Sequence, residues 1–337
     1  MLRVLFAGSP ECAVPALEAL AARHRIVAVL TNPPAPAGRS GAPVPTPVAL
    51  AARALMDSGL IGADVPVLTP DKINDATREQ ILATGPDCMA CFAYGKIFGP
   101  KTLALFPKGS YNVHPSLLPR WRGCAPVPAA ILAGDDETGV TVQKMALEMD
   151  SGDILAQIRF PLDGTEYADE LLGRAAREGA ALLADVLDSV ENGTARGSPQ
   201  DHARATFCSM LRKEDGIIDW NRDAKAVSAT VRAFHPWPGA HTRAESGGPD
   251  GPGSTLIIHR AHVVPGGAAG GREGSAAAPG TVLGVDKKEG ILVQTGNGVI
   301  ALETLQWRTK KILDWKSFMN GSRDFAGSVL GNKGQAT

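Results

Sequence analysis

Residues 111 to 123 read Tyr-Asn-Val-His-Pro-Ser-Leu-Leu-Pro-Arg-Trp-Arg-Gly, which sets an amide and an imidazole two positions apart, at Asn112 and His114, just before a loop with two prolines and a glycine. Residues i and i+2 of a strand face the same side. An amide donor and an imidazole side by side can hold an oxyanion as it develops on a carbonyl under attack. A carboxylate completes such a site by fixing the ring or receiving a proton. The candidate is Asp150, in Glu148-Met-Asp-Ser-Gly-Asp-Ile154, after the apolar run Gly139 to Met145 and so at the end of a strand next to the first. Taken from residue types alone, the pattern keeps a second meaning: a strand histidine hydrogen-bonded in a core, and a turn aspartate before Ser-Gly.

The elements that must position these groups follow from the alternation of apolar runs and helical patterns. Leu2 to Ala7 ends in Gly8-Ser9-Pro10 and leads into a helical stretch from Cys12 to Ala22, and a second run from Arg25 to Leu30 closes a βαβ unit. Further strands are expected at Cys88 to Ala93 and Tyr111 to His114, and a long helix from Tyr167 to Asn192 stopping at Asn192-Gly193. Such alternation implies an α/β domain with a mostly parallel sheet, whose ligands sit at the carboxyl ends of the strands. Residues 193 to 206 are polar and turn-rich and read as a linker. Beyond it a helix from Ala224 to Phe234 is followed by short β-like runs at Thr255 to His259, Thr281 to Val285, Ile291 to Gln294 and Val299 to Leu305, the pattern of a small barrel. Ser246 to Gly253 and Gly266 to Gly280 are Gly/Ala/Pro-rich and read as flexible inserted loops. The expected division is a domain over 1–192, a linker over 193–206, a β-barrel domain over 207–332 and a tail over 333–337.

Length and charge fit this plan. A chain of 337 residues exceeds what one core of ordinary size fills, and 44% hydrophobic with 20% charged residues is globular composition. The net charge of −1 excludes a strongly basic nucleic-acid binder overall, but from Phe207 onward there are 16 Lys+Arg against 12 Asp+Glu, so the C-terminal part is the basic one. Five cysteines, an odd number, suit a reducing compartment. Cys88 and Cys91 form a CxxC inside an apolar run, which reads as buried strand and not as a redox motif. With no signal-like N-terminus and no 18-residue apolar span, a cytoplasmic location is expected.

The segment NVHPSLLPRWRG followed by GDDETGVTVQKMALEMDSGDIL closely resembles the folate-dependent formyltransferase family, and FAGSP (Phe6 to Pro10), Ala93-Tyr-Gly-Lys96 and Arg232-Ala-Phe-His-Pro-Trp-Pro238 are similar to further pieces of it. The resemblance implies an N-terminal Rossmann-like catalytic domain and, since it spans nearly the whole chain, a second OB-like β-barrel on the tRNA side. It implies a catalytic trio at Asn112, His114 and Asp150, and folate contacts from Ser116, Leu117, Leu118 and Pro119, with Tyr94 and Gly95 beside them. The formyl donor implied is 10-formyltetrahydrofolate, with no metal, and the acceptor is methionyl initiator tRNA. A loop from Thr31 to Pro47 resembles the family's acceptor-end loop but keeps only Arg39 of its basic residues. Phosphate contacts dominate nucleic-acid affinity, so positive charge for the tRNA is expected from Arg39, Arg120, Arg122, Lys310 and Lys311. A monomer is the expected state.

Other readings are weaker. A dinucleotide site needs three glycines where residues 6 to 11 offer one, and His259 with His262 would point to opposite faces of a strand, which does not make a zinc site. A folate- or tRNA-binding protein without turnover would not need the intact trio. A formyltransferase acting on an amino sugar carried by a nucleotide is the main alternative.

Overall fold

The computed structural model describes residues 1–36, 41–245, 248, 249, 251, 253–265 and 277–331. The chain forms two compact units: one from Met1–Pro126, Glu137–Pro161 and Leu171–Ser209, the other from the described residues of Val127–Asp136, Leu162–Glu170 and Met210–Thr337.

The first unit is built on seven strands: β1 (Arg3–Gly8), β2 (Arg25–Leu30), β3 (Val67–Leu68), β4 (Cys88–Phe92), β5 (Ser110–His114), β6 (Glu137–Lys144) and β7 (Ile154–Pro161). Their order is β7-β6-β5-β4-β1-β2-β3. The five strands from β3 to β5 pair in parallel. Val4 to Ala7 of β1 and Cys88 to Ala90 of β4 are wholly buried, as the middle of a parallel sheet requires. The edge departs from the alternation expected: β6 runs antiparallel to β5, with Asn112 opposite Gln143 and His114 opposite Thr141, and β7 runs antiparallel to β6.

Helix α1 (Val14–Arg23) follows β1 through a 3-10 turn. The next two helices begin at side-chain caps: Thr46 accepts from Ala49 N at the start of α2 (Pro47–Asp57), and Asn74 from Thr77 N at the start of α3 (Asp75–Ala83). Helix α4 (Ala168–Glu191) meets the sheet at Gly179, where a Cβ would come within 2.7 Å of Val113 and 2.9 Å of Val140. Glycine therefore lets the helix approach the face that carries Val113. Asn112 and His114, one position to either side, are turned to the opposite face.

In the second unit the sheet is antiparallel. Helix α5 (Ala224–Ala233) packs on β9, and the strands β8 (Ala240–Ala244), β9 (Ser254–Val263), β10 (Val282–Asp286), β11 (Gly290–Gln294), β12 (Val299–Trp307) and β13 (Leu330–Gly331) run in the order β10-β11-β12-β9-β8-β13. A short strand at Leu313–Asp314 pairs with β12, and helix α6 (Trp315–Gly321) follows it. Register shifts in β9 at Ile258/Arg260 and Arg260/Ala261 bend the strand, as bulges do in curled sheets. The sheet closes over one core that includes Trp220, Val231, Leu256, Ile300, Phe318 and Phe325. The result is a curled half-barrel, in line with the small barrel read from the sequence. Residues 246, 247, 250 and 252 and residues 266–276 of the two Gly-rich stretches lie outside the described residues.

Candidate active site

Strand β5 places Asn112 and His114 as its period of two requires. The Asn112 side chain is half-buried and makes no hydrogen bond among the described residues, so its amide is available to a substrate oxygen. His114 is 4% exposed. Its Nε2 lies 2.8 Å from the carbonyl oxygen of Trp121. A carbonyl only accepts, so Nε2 carries a hydrogen and donates it, which leaves Nδ1 as the nitrogen that can take or give a proton. Nδ1 faces Asp150, 3.6 Å from its Oδ2.

Asp150 is brought to His114 in a way the sequence does not announce. It is not at a strand end. Strand β6 stops at Lys144, and Asp150 sits in the loop that returns to β7, with φ +54. Both carboxylate oxygens are held: Oδ1 accepts from Gln143 Nε2 at 2.8 Å and Oδ2 from Gly123 N at 2.9 Å. Gln143 has no signal in the sequence, because its strand also carries Glu137, Thr138, Thr141 and Lys144; only the fold shows that it is 2% exposed. Leu147 and Met149, before Asp150, are exposed.

The loop after β5 is internally fixed. Ser116 Oγ donates to Arg120 O at 2.6 Å, Leu118 N to Thr141 Oγ1 at 3.2 Å, and Thr141 Oγ1 to Ser116 O at 2.7 Å. Gln157 Nε2 donates to Leu118 O at 3.0 Å, and the Leu118–Pro119 bond is cis. Ser116 and Leu118 are buried and shape the loop, whereas Leu117 and Pro119 keep partly open surface. Leu117 packs on Gly139, where a Cβ would lie 2.5 Å from its Cδ2. At the end of β4, Tyr94 is 1% exposed, stacks on Phe98 with ring centroids 5.3 Å apart, and has a hydroxyl without a partner among the described residues. Burial pushes its phenol up to about 12, with Cys91 adding to the rise. Its carbonyl accepts from Asn32 Nδ2 at 3.0 Å and from Ser9 Oγ at 3.4 Å, tying the loops that follow β1, β2 and β4 together. Gly95 (φ +83) and Ile97 beside it are exposed.

Of the cations expected to meet tRNA, Arg39 lies outside the described residues; before and after it in sequence, Ala35 pairs with Val44 and Pro36 with Pro43. Arg120 is exposed, its guanidinium 4.5 Å over the Trp121 ring. Arg122 corrects the expectation. It is 4% exposed, and its guanidinium donates to Gln200 Oε1 at 2.7 and 3.1 Å and contacts His202 Nδ1 at 3.2 Å, so it faces inward and not toward a phosphate. In the second unit Lys310 and Lys311 are exposed in the turn after β12, where Thr309 has φ +70, and the exposed Arg308 and Lys316, not singled out in the sequence, lie on the same stretch. All five cysteines are free. Burial drives the thiols of Cys88 and Cys91, both inside strand β4, up to about 12. Among the described residues no helix is long and apolar enough to cross a membrane.

Residues 2–187 match the family model described as formyl transferase, and residues 210–323 that of the formyl transferase C-terminal domain. The chain is 48% identical, over 96% of its length and 98% of the relative's, to the methionyl-tRNA formyltransferase of Treponema denticola. It has the fold of HypX from Aquifex aeolicus, solved in complex with tetrahydrofolic acid, with a TM-score of 0.61 and 17% identity over 96% of this chain and 48% of that one, so that it spans about half of HypX. The N-formyltransferase of Helicobacter canadensis, solved with folinic acid and dTDP-3-aminofucose, aligns with a TM-score of 0.60 and 17% identity over 90% of this chain and 99% of that one. Two matched domains and a near-full-length relative at 48% identity establish that the chain belongs to the methionyl-tRNA formyltransferase family, within the formyl transferases.

Proposed function

We propose that this protein transfers the formyl group of 10-formyltetrahydrofolate to the α-amino group of methionyl initiator tRNA, acting as a monomer in the cytoplasm. The observation that carries the reading is the pairing of His114 Nδ1 with Asp150 beside the unengaged Asn112 amide, in a chain similar over almost its whole length to a methionyl-tRNA formyltransferase.

The amine attacks the formyl carbon, and the formyl oxygen gains negative charge as the carbon becomes tetrahedral. Asn112 donates its amide to that oxygen, and His114, acting in its protonated form with Nε2–H held by the Trp121 carbonyl, donates its Nδ1–H to the same place. Asp150, fixed through both oxygens, stands where the proton leaving the amine must go. The carbon–nitrogen bond to the folate then breaks, and its nitrogen takes the proton that Asp150 received from the amine. Leu117, Pro119, Tyr94 and Gly95 are assigned to the folate, and Ser116 and Leu118 to the shape of its cradle. Residues 1–192 are read as the catalytic domain, 193–206 as the linker, 207–332 as the tRNA-side domain and 333–337 as a tail. Arg39, Arg120, Lys310 and Lys311 are the cations assigned to the tRNA, and Arg122 is withdrawn from that set.

The test is formyl transfer to purified methionyl initiator tRNA with a nucleotide-linked amino sugar and glycinamide ribonucleotide as competing acceptors. Transfer to the tRNA alone is expected. Transfer only to a small amine would overturn the choice of acceptor while leaving the trio in place.

A further inference from the structure

We infer that Gln200, together with Arg122 and Gln143, is a positioning residue for the reaction: the three side chains and Asp150 form one closed hydrogen-bonded ring that holds the catalytic carboxylate against His114. The inference rests on the reading of Asp150 given under Proposed function. Arg122 Nε and Nη2 donate to Gln200 Oε1 at 3.1 and 2.7 Å. Gln200 Nε2 donates to the carbonyl oxygens of Asp150 and Gly152 at 2.8 and 2.7 Å and approaches Gln143 Oε1 at 3.5 Å. Gln143 Nε2 donates to Asp150 Oδ1, and Gly123 N, the next residue after Arg122, donates to Asp150 Oδ2 and closes the ring.

The directions of these bonds follow from chemistry. A guanidinium only donates, so the Gln200 atom facing it must be oxygen and its NH2 must face the two carbonyls. That NH2 in turn fixes the Gln143 oxygen toward it and the Gln143 NH2 toward the carboxylate. Arg122 therefore sets the polarity of the whole ring although it touches no reacting atom. It is a buried guanidinium, 4% exposed, with no carboxylate partner among the described residues, and Gln143 and Gln200 are 2% and 5% exposed. Burying a charge without a counter-ion is costly, and packing alone gives no reason for it at this position.

The backbone needs the ring as well. Asp150 has φ +54 and Trp121, whose carbonyl holds His114, has φ +59. Non-glycine residues stay in that region only where their surroundings over-determine it. Gln200 clamps the Asp150 loop by two carbonyls, and Thr206, from the same stretch, clamps Trp121 through Thr206 Oγ1 at 2.9 Å. Residues 197–206 have the composition of a linker, but they support both arms of the site.

The experiment is steady-state kinetics of Gln200→Leu, Gln143→Leu and the double variant, beside Gln200→Glu, which keeps the bond to Arg122 and loses the donor to the loop. Each single variant is expected to lower kcat by roughly 10- to 100-fold, the range for partners that orient a functional group, with KM for folate and for tRNA within about threefold. Because one ring is broken by either change, the double variant should be little worse than the poorer single one, whereas independent structural damage would multiply. Unchanged kcat in Gln200→Leu or Gln200→Glu, multiplicative losses, or an effect confined to KM would overturn the ring. If Gln200→Leu does not fold, Gln200→Glu decides by itself. Crystal structures of the unmodified protein and of Gln200→Glu give a readout free of activity: the Asp150 carboxylate should leave Gly123 N in the variant. A protein inactive with every acceptor would fail the functional reading, while those structures would still judge the ring.

Discussion

Two regions are expected to meet the same tRNA substrate, and they are built on opposite principles. In the first unit the loop from Pro115 to Gly123 is held from four sides, by Thr141, Gln157, Thr206 and Asp150, with a buried arginine behind it. In the second unit the turn that carries Lys310 and Lys311 is exposed and rests on bonds from Lys310 N to Trp307 O and from Gln306 Nε2 to Lys310 O. Stabilising a transition state needs atoms placed within about 1 Å of their productive positions. Gripping a polyanion needs charge density, and that tolerates movement. The two regions should therefore fail in different ways when mutated, one in kcat and the other in binding.

The largest effect belongs to the trio. Asn112→Ala should lower kcat by about 10²–10³, the usual loss of one oxyanion donor, with KM for tRNA nearly unchanged. Retention of more than a tenth of the activity would remove Asn112 from the role. Gly123→Ala attacks the support. Gly123 has φ +116, and a Cβ there would lie 2.1 Å from Cys208 O, a backbone atom that cannot step aside. Displacing the strand pairing of residues 122–123 with 207–208 should destabilise the first unit by roughly 3 kcal/mol and loosen Asp150, which thermal melts and kcat together would register. A protein that melts like the unmodified one would mean the loop is more pliable than its bonds imply.

Lys310→Ala with Lys311→Ala sharpens the other side of the comparison. Each phosphate contact contributes close to one unit of salt slope, so the double variant should lower the slope of log affinity against log salt by about 2 and raise KM for tRNA several-fold at unchanged kcat. An unchanged slope would shift the grip to Arg120 or to residues around Arg39.

How much of this was legible follows from the range of each interaction. Asn112 and His114 were readable because a strand's period of two is local, and β2 was readable to the residue because Arg25 to Leu30 is one apolar run. Asp150 was readable as a residue but not in its placement, since nothing in an apolar run states whether a strand lies parallel or antiparallel to its neighbour. Gln200 looked like linker because its partners, Arg122 and Asp150, are 78 and 50 positions away. Arg122 was misjudged for the converse reason: arginine is mostly exposed, and only the fold shows that this one is not. In the second unit the short strands were visible, but their order was not, and β8 and β13 were missed; pairings such as Ala244 with Leu330 join distant segments.

The smallest effect expected is in the pH dependence of stability, and here too the units differ in sign. In the first unit the buried His24 has its pKa lowered, burial outweighing Asp188 3.3 Å away. In the second, His262 is partly desolvated, but its bonds to Glu289 and Glu303 prevail and raise it. A raised histidine adds stability that is fully present below the ordinary value of 6.5 and is lost as pH rises through its higher folded value. A lowered one is the reverse: below 6.5 the unfolded chain takes up the proton first, and stability falls as the solution acidifies. The melting-temperature advantage of the unmodified protein over His262→Gln should therefore shrink as pH rises from about 5 to 8, and its advantage over His24→Gln should shrink as pH falls across the same range. Both contributions are modest, His262 because its side chain is 37% exposed and screened by solvent. Parallel slopes for the two variants would show that one of the two histidines does not see the surroundings assigned to it.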